Sequence, residues 1–110
     1  MSEKRYNLGK SEVSGLGKLY AQGGQALKRD EIGLENKEYT VFARLAWFGL
    51  AKREEEQRWS ITRLGIDFVE GIARVQRTAV TRDREFVGLA GELVRAYDVN
   101  DAFYFEAVPA

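Results

Sequence analysis

The side chains that could do chemistry in this sequence are carboxylates, amines, guanidinium groups and hydroxyls, because it contains neither cysteine nor histidine. Without these two residue types the chain has no disulfide, no thiolate zinc site and no histidine general base of the kind that hydrolases use. The carboxylates are the remaining candidate metal ligands, and they would bind only hard cations. We therefore expect neither an enzyme nor a bound metal or cofactor.

Two Gly-Lys pairs, at 9–10 and 17–18, invite comparison with a phosphate-binding loop. That loop needs a glycine five positions before the pair, and Lys4 and Glu12 occupy those positions. Neither pair can form the loop. Lys10 stays a candidate anion contact, because it lies near the start of the first predicted helix.

An acidic run at Glu54, Glu55 and Glu56 is the next candidate, because carboxylates could bind a divalent cation. Consecutive residues point in different directions, and the run lacks the alternating spacing of a calcium loop. We interpret it as a solvated turn.

A further set of polar residues falls on one face of a predicted helix. Arginine and lysine pair with guanine, asparagine pairs with adenine, and threonine contacts the thymine methyl group. An ordinary solvated helix face would have a similar composition, so that interpretation stays open. The candidates for reading DNA bases are Asn36, Lys37, Thr40 and Arg44.

The net charge is zero, which argues against a protein that coats nucleic acid by bulk electrostatics. The charge is nevertheless uneven. Residues 1–29 carry a balance of +4, from Lys4, Arg5, Lys10, Lys18, Lys28 and Arg29 against Glu3 and Glu12. Phosphate contacts are therefore expected from the N-terminal third, with Lys10, Lys28 and Arg29 as the named candidates.

The elements that must position these residues begin after a flexible arm expected at residues 1–10. A first helix is predicted from Ser11 or Ser14 to Ala21, and a short second helix over 27–32. The strongest helical pattern follows Asn36, which is expected to be the N-cap. Its buried stripe consists of Tyr39, Phe42, Leu45, Ala46 and Gly49.

A β-hairpin is predicted next, from strands at 50–53 and 58–62. Its tip and flanks form a predicted wing of Arg53, Glu54, Glu55, Glu56 and Arg58. Trp59 is expected in the core by strand alternation, and Trp47 in the core or against the wing. Thr62 is expected to cap a helix that ends at Gly71.

Beyond Gly71 the β-branched residues predict a second hairpin around Asp83-Arg84. Residues 93–99 fit a third strand or a short helix, and 102–105 a last helical turn. The aromatic run 103–105 is a candidate subunit contact.

Three stretches of the sequence together resemble a pattern found in a known protein family. They are Phe42-Ala43-Arg44-Leu45-Ala46-Trp47-Phe48-Gly49-Leu50, Arg58-Trp59-Ser60-Ile61-Thr62 and Gly65-Ile66-Asp67-Phe68-Val69-Glu70-Gly71. This pattern resembles small, mostly uncharacterised winged helix-turn-helix proteins of phages, prophages and bacteria, closely over 36–71 and loosely over 11–35. The resemblance implies a fold more than an activity, since winged helices read DNA, dimerise or bind proteins.

The expected fold is therefore α+β: a winged helix-turn-helix over 11–71, with a β-rich appendage over 72–110 on the same domain. The expected function is binding of double-stranded DNA, as a regulator of transcription, with a homodimer possible. Because three glutamates at the wing would repel phosphates, the alternative is a protein-interaction module or phage assembly component that does not bind DNA. With no apolar signal segment or membrane span in the sequence, we expect a cytoplasmic protein.

Overall fold

The computed structural model describes residues 2–101, which form a mixed α+β fold with four helices and two small antiparallel sheets. The helices are α1 Lys10–Ala21, α2 Asn36–Val41, α3 Arg63–Val69 and α4 Ala96–Val99. The strands are β1 Glu3–Asn7, β2 Leu27–Lys28, β3 Ala51–Arg53, β4 Arg58–Ile61, β5 Val75–Arg82 and β6 Glu85–Val94. Short 3-10 segments lie at Arg29–Glu31, Phe42–Ala46 and Glu55–Gln57.

The first sheet has the strand order β2-β4-β3. Its β3–β4 hairpin confirms the first predicted hairpin, with Ala51 opposite Ile61 and Arg53 opposite Trp59. The short β2 adds to the other side of β4, where Leu27 pairs with Trp59. The second helix expected over 27–32 is therefore wrong, because this segment divides into a strand and a 3-10 turn.

The second sheet has the order β1-β5-β6. Its β5–β6 hairpin confirms the predicted turn at Asp83 and Arg84, which both adopt positive φ. The flexible arm expected over residues 1–10 is wrong, because Glu3–Asn7 pairs along its whole length with β5 and Lys10 already begins α1. The segment expected at 93–99 completes β6 and then forms α4, while the predictions for 102–105 lie outside the described residues.

The helix predicted after Asn36 is two elements. The α-helix α2 ends at Val41, and the next five residues wind as a 3-10 helix. Phe42, Leu45 and Phe48 are all buried, at the spacing of three that 3-10 winding requires. This tighter winding leaves Ala46 exposed, so its assignment to the buried stripe is wrong.

One hydrophobic cluster joins the two sheets. It contains Val13, Leu16 and Leu19 of α1 with Phe42, Leu45 and Trp59, and it extends to Leu8, Val75, Ala79 and Ala96. Phe42 and Trp59 meet edge to face, with ring centroids 5.4 Å apart. Because both sheets pack on this cluster, the hairpin β5–β6 shares one hydrophobic core with the helices.

A buried carboxylate fixes α2 to α1. Glu38 is almost completely buried, and its carboxylate accepts hydrogen bonds from Ser14, from the Lys18 ammonium at 2.6 Å and from the Glu35 backbone N–H at 2.8 Å. The last bond belongs to a capping arrangement in which Glu35 is the N-cap. The prediction that Asn36 caps this helix is therefore wrong, since Asn36 is its first residue.

The helix α3 begins as predicted. The Thr62 hydroxyl accepts a hydrogen bond from the Gly65 N–H at 2.9 Å and donates one to the Gly49 carbonyl at 2.6 Å. A Cβ on Gly65 would lie 2.1 Å from the Leu50 carbonyl oxygen, so only glycine allows the helix to approach the hairpin this closely. The helix ends before Gly71, which has positive φ.

Candidate nucleic-acid interface

A small pocket of about 100 Å³ opens where β2, α2 and the β3–β4 hairpin meet. We call it the wing pocket. It is lined by Lys28, Arg29, Asp30, Tyr39, Arg53, Gln57 and Trp59. Three of the predicted DNA-contacting or wing residues, Lys28, Arg29 and Arg53, therefore come together although they lie on different elements.

Two aromatic rings hold the arginines of the wing pocket. The Arg29 guanidinium lies 4.5 Å from the centroid of the Tyr39 ring, and its Nη1 donates to the Tyr39 carbonyl at 3.2 Å. The Arg53 guanidinium lies 5.2 Å from the centroid of Trp59, its cross-strand neighbour. Such cation–π contacts fix a guanidinium while leaving its N–H groups free to donate to an anion.

The electrostatics of the wing pocket favour an anion. Within residues 2–101, none of Lys28, Arg29 and Arg53 forms an ion pair with a carboxylate. Asp30 supplies a single negative charge to the lining. The pocket thus carries three cations against one carboxylate, an excess that the zero net charge of the sequence conceals.

Two of the three wing glutamates form ion pairs with neighbouring residues. Glu54 lies 3.2 Å from Lys52 and accepts from the Ser60 hydroxyl at 3.1 Å. The hydrogen bond from Lys52, followed by that from Ser60, lowers the pKa of Glu54 below its ordinary value. Glu56 lies 3.7 Å from Arg58. The negative field at the wing is therefore weaker than three consecutive glutamates suggest.

Arg58, predicted as a wing contact, has a structural role in this fold. Its guanidinium lies 3.2 Å from Glu31 and 3.7 Å from Glu56, and it donates to the Ala26 carbonyl at 3.5 Å. These contacts tie β4 to the 3-10 turn that precedes α2. Arg58 thus positions the wing pocket without lining it.

The exposed face of α2 carries Asn36, Lys37 and Thr40, as predicted. The Thr40 hydroxyl donates to the Asn36 carbonyl at 2.9 Å, and the Lys37 ammonium lies 3.8 Å from Glu35. Both contacts are exposed and weak. These side chains are available on the same helix whose Tyr39 lines the wing pocket.

Arg44 lies on a different surface from the other base-reading candidates. Its guanidinium is 4.7 Å from the centroid of the Tyr6 ring, and Tyr6 in turn packs against Trp47 with centroids 5.2 Å apart. Trp47 also faces Phe86, in a parallel arrangement with centroids 6.5 Å apart. The prediction that Arg44 lies free on an exposed helix face is wrong, because it is half-buried against β1.

Lys10 is also separate from the wing pocket. It is exposed at the start of α1, and its carbonyl accepts a hydrogen bond from the Asn100 side chain at 3.3 Å. No contact within residues 2–101 joins Lys10 to Lys28, Arg29 or Arg53.

The sequence analysis did not include Tyr39, Asp30, Gln57 or Trp59 among the candidate contacts, although all four line the wing pocket. Tyr39 was assigned to the buried stripe, yet it is 42% exposed. The position of α2 that faces the protein interior is Glu38, a residue type that hydrophobic periodicity discounts. The Arg53–Trp59 contact depends on the β3–β4 register, and the Arg29–Tyr39 contact depends on how the 3-10 turn packs against α2. The sequence pattern specifies neither.

Comparisons of the chain with family models, with curated proteins and with solved structures give no match. Within residues 2–101, none of the helices has the length and apolar character needed to cross a membrane.

Proposed function

We propose that this protein is a winged-helix protein that binds double-stranded DNA through α2 and the wing pocket. The order of elements supports the fold: α1, β2, a 3-10 turn, the helical segment beginning with α2, then the hairpin β3–β4. In winged helices the third helical element enters the major groove and the hairpin that follows is the wing. The strand order β2-β4-β3 supports this assignment, because the short strand after α1 joins the wing hairpin.

The observation that carries the proposal is the convergence of Lys28, Arg29 and Arg53 on the wing pocket, with no carboxylate ion pair to any of the three in the described part of the chain. In this interpretation they contact phosphate oxygens, which supply most of the affinity of DNA-binding proteins. Asn36 and Lys37 on α2 then face base edges. A transcription regulator is the role that this mode of binding favours.

Because α2 is short, it can contact only a few base pairs, which limits its specificity for DNA sequence. Six residues of α-helix span about 9 Å, which matches roughly three base pairs at about 3.4 Å each. Phosphate contacts should therefore contribute more than base contacts. We expect binding that depends strongly on salt and only moderately on DNA sequence.

Fluorescence anisotropy with a labelled mixed-sequence duplex, titrated at several salt concentrations, tests the proposal. Lys28→Gln and Arg53→Gln should each weaken binding and reduce the slope of log affinity against log salt by about 1. Arg77→Gln is the matched control, because Arg77 pairs with Glu92 on the second sheet at 3.0 Å. Absence of duplex binding at low salt, or equal losses in all three variants, contradicts the proposal.

The wing gives a second test. Replacing Glu54, Glu55 and Glu56 by glutamine removes three negative charges and breaks the ion pairs Lys52–Glu54 and Arg58–Glu56, while Arg58 keeps its ion pair with Glu31. Duplex binding should tighten at low salt, and the gain should shrink as salt screens the charges. Unchanged affinity at low salt places the wing away from DNA.

A second candidate function, association with another copy of this chain, is favoured by the edge strand β6. Within residues 2–101 only one side of β6 is paired, and Val87 and Leu93 are 54% and 60% exposed. An unpaired strand edge with apolar side chains is a template for β-augmentation. Sedimentation equilibrium should detect a dimer that the double variant Val87→Lys, Leu93→Lys dissociates, whereas Ile72→Lys, at an exposed position outside β6, leaves it intact. A monomer at all concentrations excludes this candidate.

A further inference from the structure

A second polar pocket, of about 280 Å³, lies against the β1–β5 edge of the second sheet. It is lined by Ser2, Lys4, Tyr6, Thr81 and Arg84. We call it the β1 pocket. None of these residues lines the wing pocket, and three of them come from the first six positions of the chain.

The strand β1 separates its charges between two faces. Side chains alternate along a strand, so Glu3 and Arg5 share one face while Lys4 and Tyr6 share the other. On the first face Glu3 lies 3.7 Å from Arg5 and 3.6 Å from Arg82. The only carboxylate of β1 is thereby engaged on the face opposite the β1 pocket.

The cations of the β1 pocket have no such partner. Neither Lys4 nor Arg84 forms an ion pair within residues 2–101. Asp83, the neighbour of Arg84 in the hairpin turn, accepts a hydrogen bond from the Ser2 backbone N–H at 3.1 Å. The lining itself contains two cations and no carboxylate.

A threonine of β5 also lines the pocket. Thr81 is directly opposite Lys4 in the β1–β5 register and is only 3% exposed. Thr81 nevertheless lines the pocket. Within residues 2–101 the only buried side-chain polar atom without a hydrogen-bond partner is Asp67 Oδ1, so the Thr81 hydroxyl keeps access to solvent. A hydroxyl at this position can donate a hydrogen bond to a ligand oxygen in the pocket.

We propose that the β1 pocket binds a phosphate group. Lys4 and Arg84 supply two positive charges, while Thr81 and Ser2 supply hydroxyl donors, and charge-assisted hydrogen bonds of this kind recognise phosphate oxygens. Tyr6 forms an aromatic wall of the pocket, and the Arg44 guanidinium stacks on that ring at 4.7 Å. The phosphate belongs either to a small nucleotide or to a nucleic-acid backbone. The site stands independently of the wing pocket and of its proposed DNA contacts.

Titration of the ¹⁵N-labelled full chain with inorganic phosphate, followed by two-dimensional NMR, tests the site. Saturable shifts should appear at the amides of Lys4, Tyr6, Thr81 and Arg84. Lys4→Gln and Arg84→Gln should each weaken binding by about fivefold to tenfold, because each removes one charge-assisted contact. Arg5→Gln is the matched control on the opposite face of β1 and should bind as the wild type does.

The contrary outcomes are equally specific. The proposal is overturned if the shifts do not saturate or map to other residues. It is also overturned if Arg5→Gln weakens binding as much as Lys4→Gln does, or if sulfate binds as tightly as every phosphate probe. Thermal melts of each variant verify that the fold is retained. Lys4, Arg5 and Arg84 are exposed and glutamine is a polar residue, so we expect all three variants to fold.

Two further probes distinguish the sources of the phosphate. Tighter binding of adenosine monophosphate than of inorganic phosphate identifies a small nucleotide, whose base can stack beside Tyr6. Tighter binding of a duplex, lost in Lys4→Gln but not in Arg5→Gln, identifies the nucleic-acid backbone. Loss of duplex binding in Lys28→Gln and Arg53→Gln, with phosphate shifts at β1 retained, shows that the two pockets act separately.

Discussion

The Lys18 ammonium lies 2.6 Å from a carboxylate oxygen of Glu38, and this contact joins the middle of α1 to the inner face of α2. Glu38 is the only acidic residue within 2–101 that is 99% buried, whereas 37% of the Lys18 side chain stays exposed. The pair therefore combines a desolvated carboxylate with a partly hydrated cation. Its geometry determines where α2 presents Asn36, Lys37 and Tyr39.

Glu38→Gln should destabilise the fold by about 1 to 3 kcal/mol, because a neutral amide cannot replace the charge-assisted bonds from Lys18 and Ser14. Urea denaturation measures the loss. Glu35→Gln is the control, since the Glu35 side chain is exposed and lies 3.8 Å from Lys37. Equal stability of Glu38→Gln and the wild type contradicts the assignment.

The same carboxylate predicts a pH dependence. Burial alone raises the pKa of Glu38, but hydrogen bonds from Lys18, Ser14 and the Glu35 amide outweigh it and hold the pKa below the ordinary value of 4.5. A carboxyl group whose pKa is lowered by folding stabilises the protein above its unfolded pKa and loses that contribution as pH falls through the folded value. The stability difference between wild type and Glu38→Gln should therefore be constant near neutrality and shrink below pH 4.5. A difference that grows with acidity contradicts this sign.

Phe42→Ala and Leu45→Ala should each cost about 2 to 5 kcal/mol, because both side chains are fully buried on the 3-10 segment. Ala46→Gln, one residue further on, should change stability by less than about 0.5 kcal/mol, since Ala46 is exposed. Thermal melts of the three variants compare them directly. A large loss of stability in Ala46→Gln would instead indicate that Ala46 is buried, as in a continuous α-helix with about 3.6 residues per turn.

Arg44 and Tyr6 should be energetically coupled, because the guanidinium stacks on the ring. A double-mutant cycle with Arg44→Met and Tyr6→Leu should give a coupling free energy of about 0.5 to 1 kcal/mol. Met and Leu retain apolar volume while removing the charge and the ring. Additive effects in chemical denaturation show that the stack contributes nothing to stability.

Local signals in the sequence predicted several elements well. Thr62 is a strong capping residue at the end of an alternating strand, and the structure confirms both its hydrogen bond and the helix after it. The turn at Asp83 and Arg84 was also predictable, because aspartate tolerates positive φ and lies between two predicted strands. These features depend on neighbours within a few positions.

Features that depend on distant partners were not predictable from such signals. β1 has no hydrophobic alternation, since four of its five residues are polar or charged, and its strand conformation comes from pairing with β5. Phe42, the first residue after α2, packs edge to face against Trp59 of β4, a contact that no local sequence pattern specifies. The Arg53–Trp59 contact of the wing pocket likewise depends on the pairing of β3 with β4. The sequence therefore identified the cations but not their arrangement.

The pairing of β1 with β5 also constrains how the chain folds during its synthesis. Asn7 and Thr78, which share a side-chain hydrogen bond in this ladder, are 71 positions apart. At about 5 to 20 residues per second, a ribosome makes β5 roughly 4 to 14 seconds after β1. The first strand must therefore stay unpaired while α1, α2 and the first sheet emerge, and the high contact order of this ladder makes its closure a late, slow event. The polar character of β1 keeps that waiting segment from aggregating.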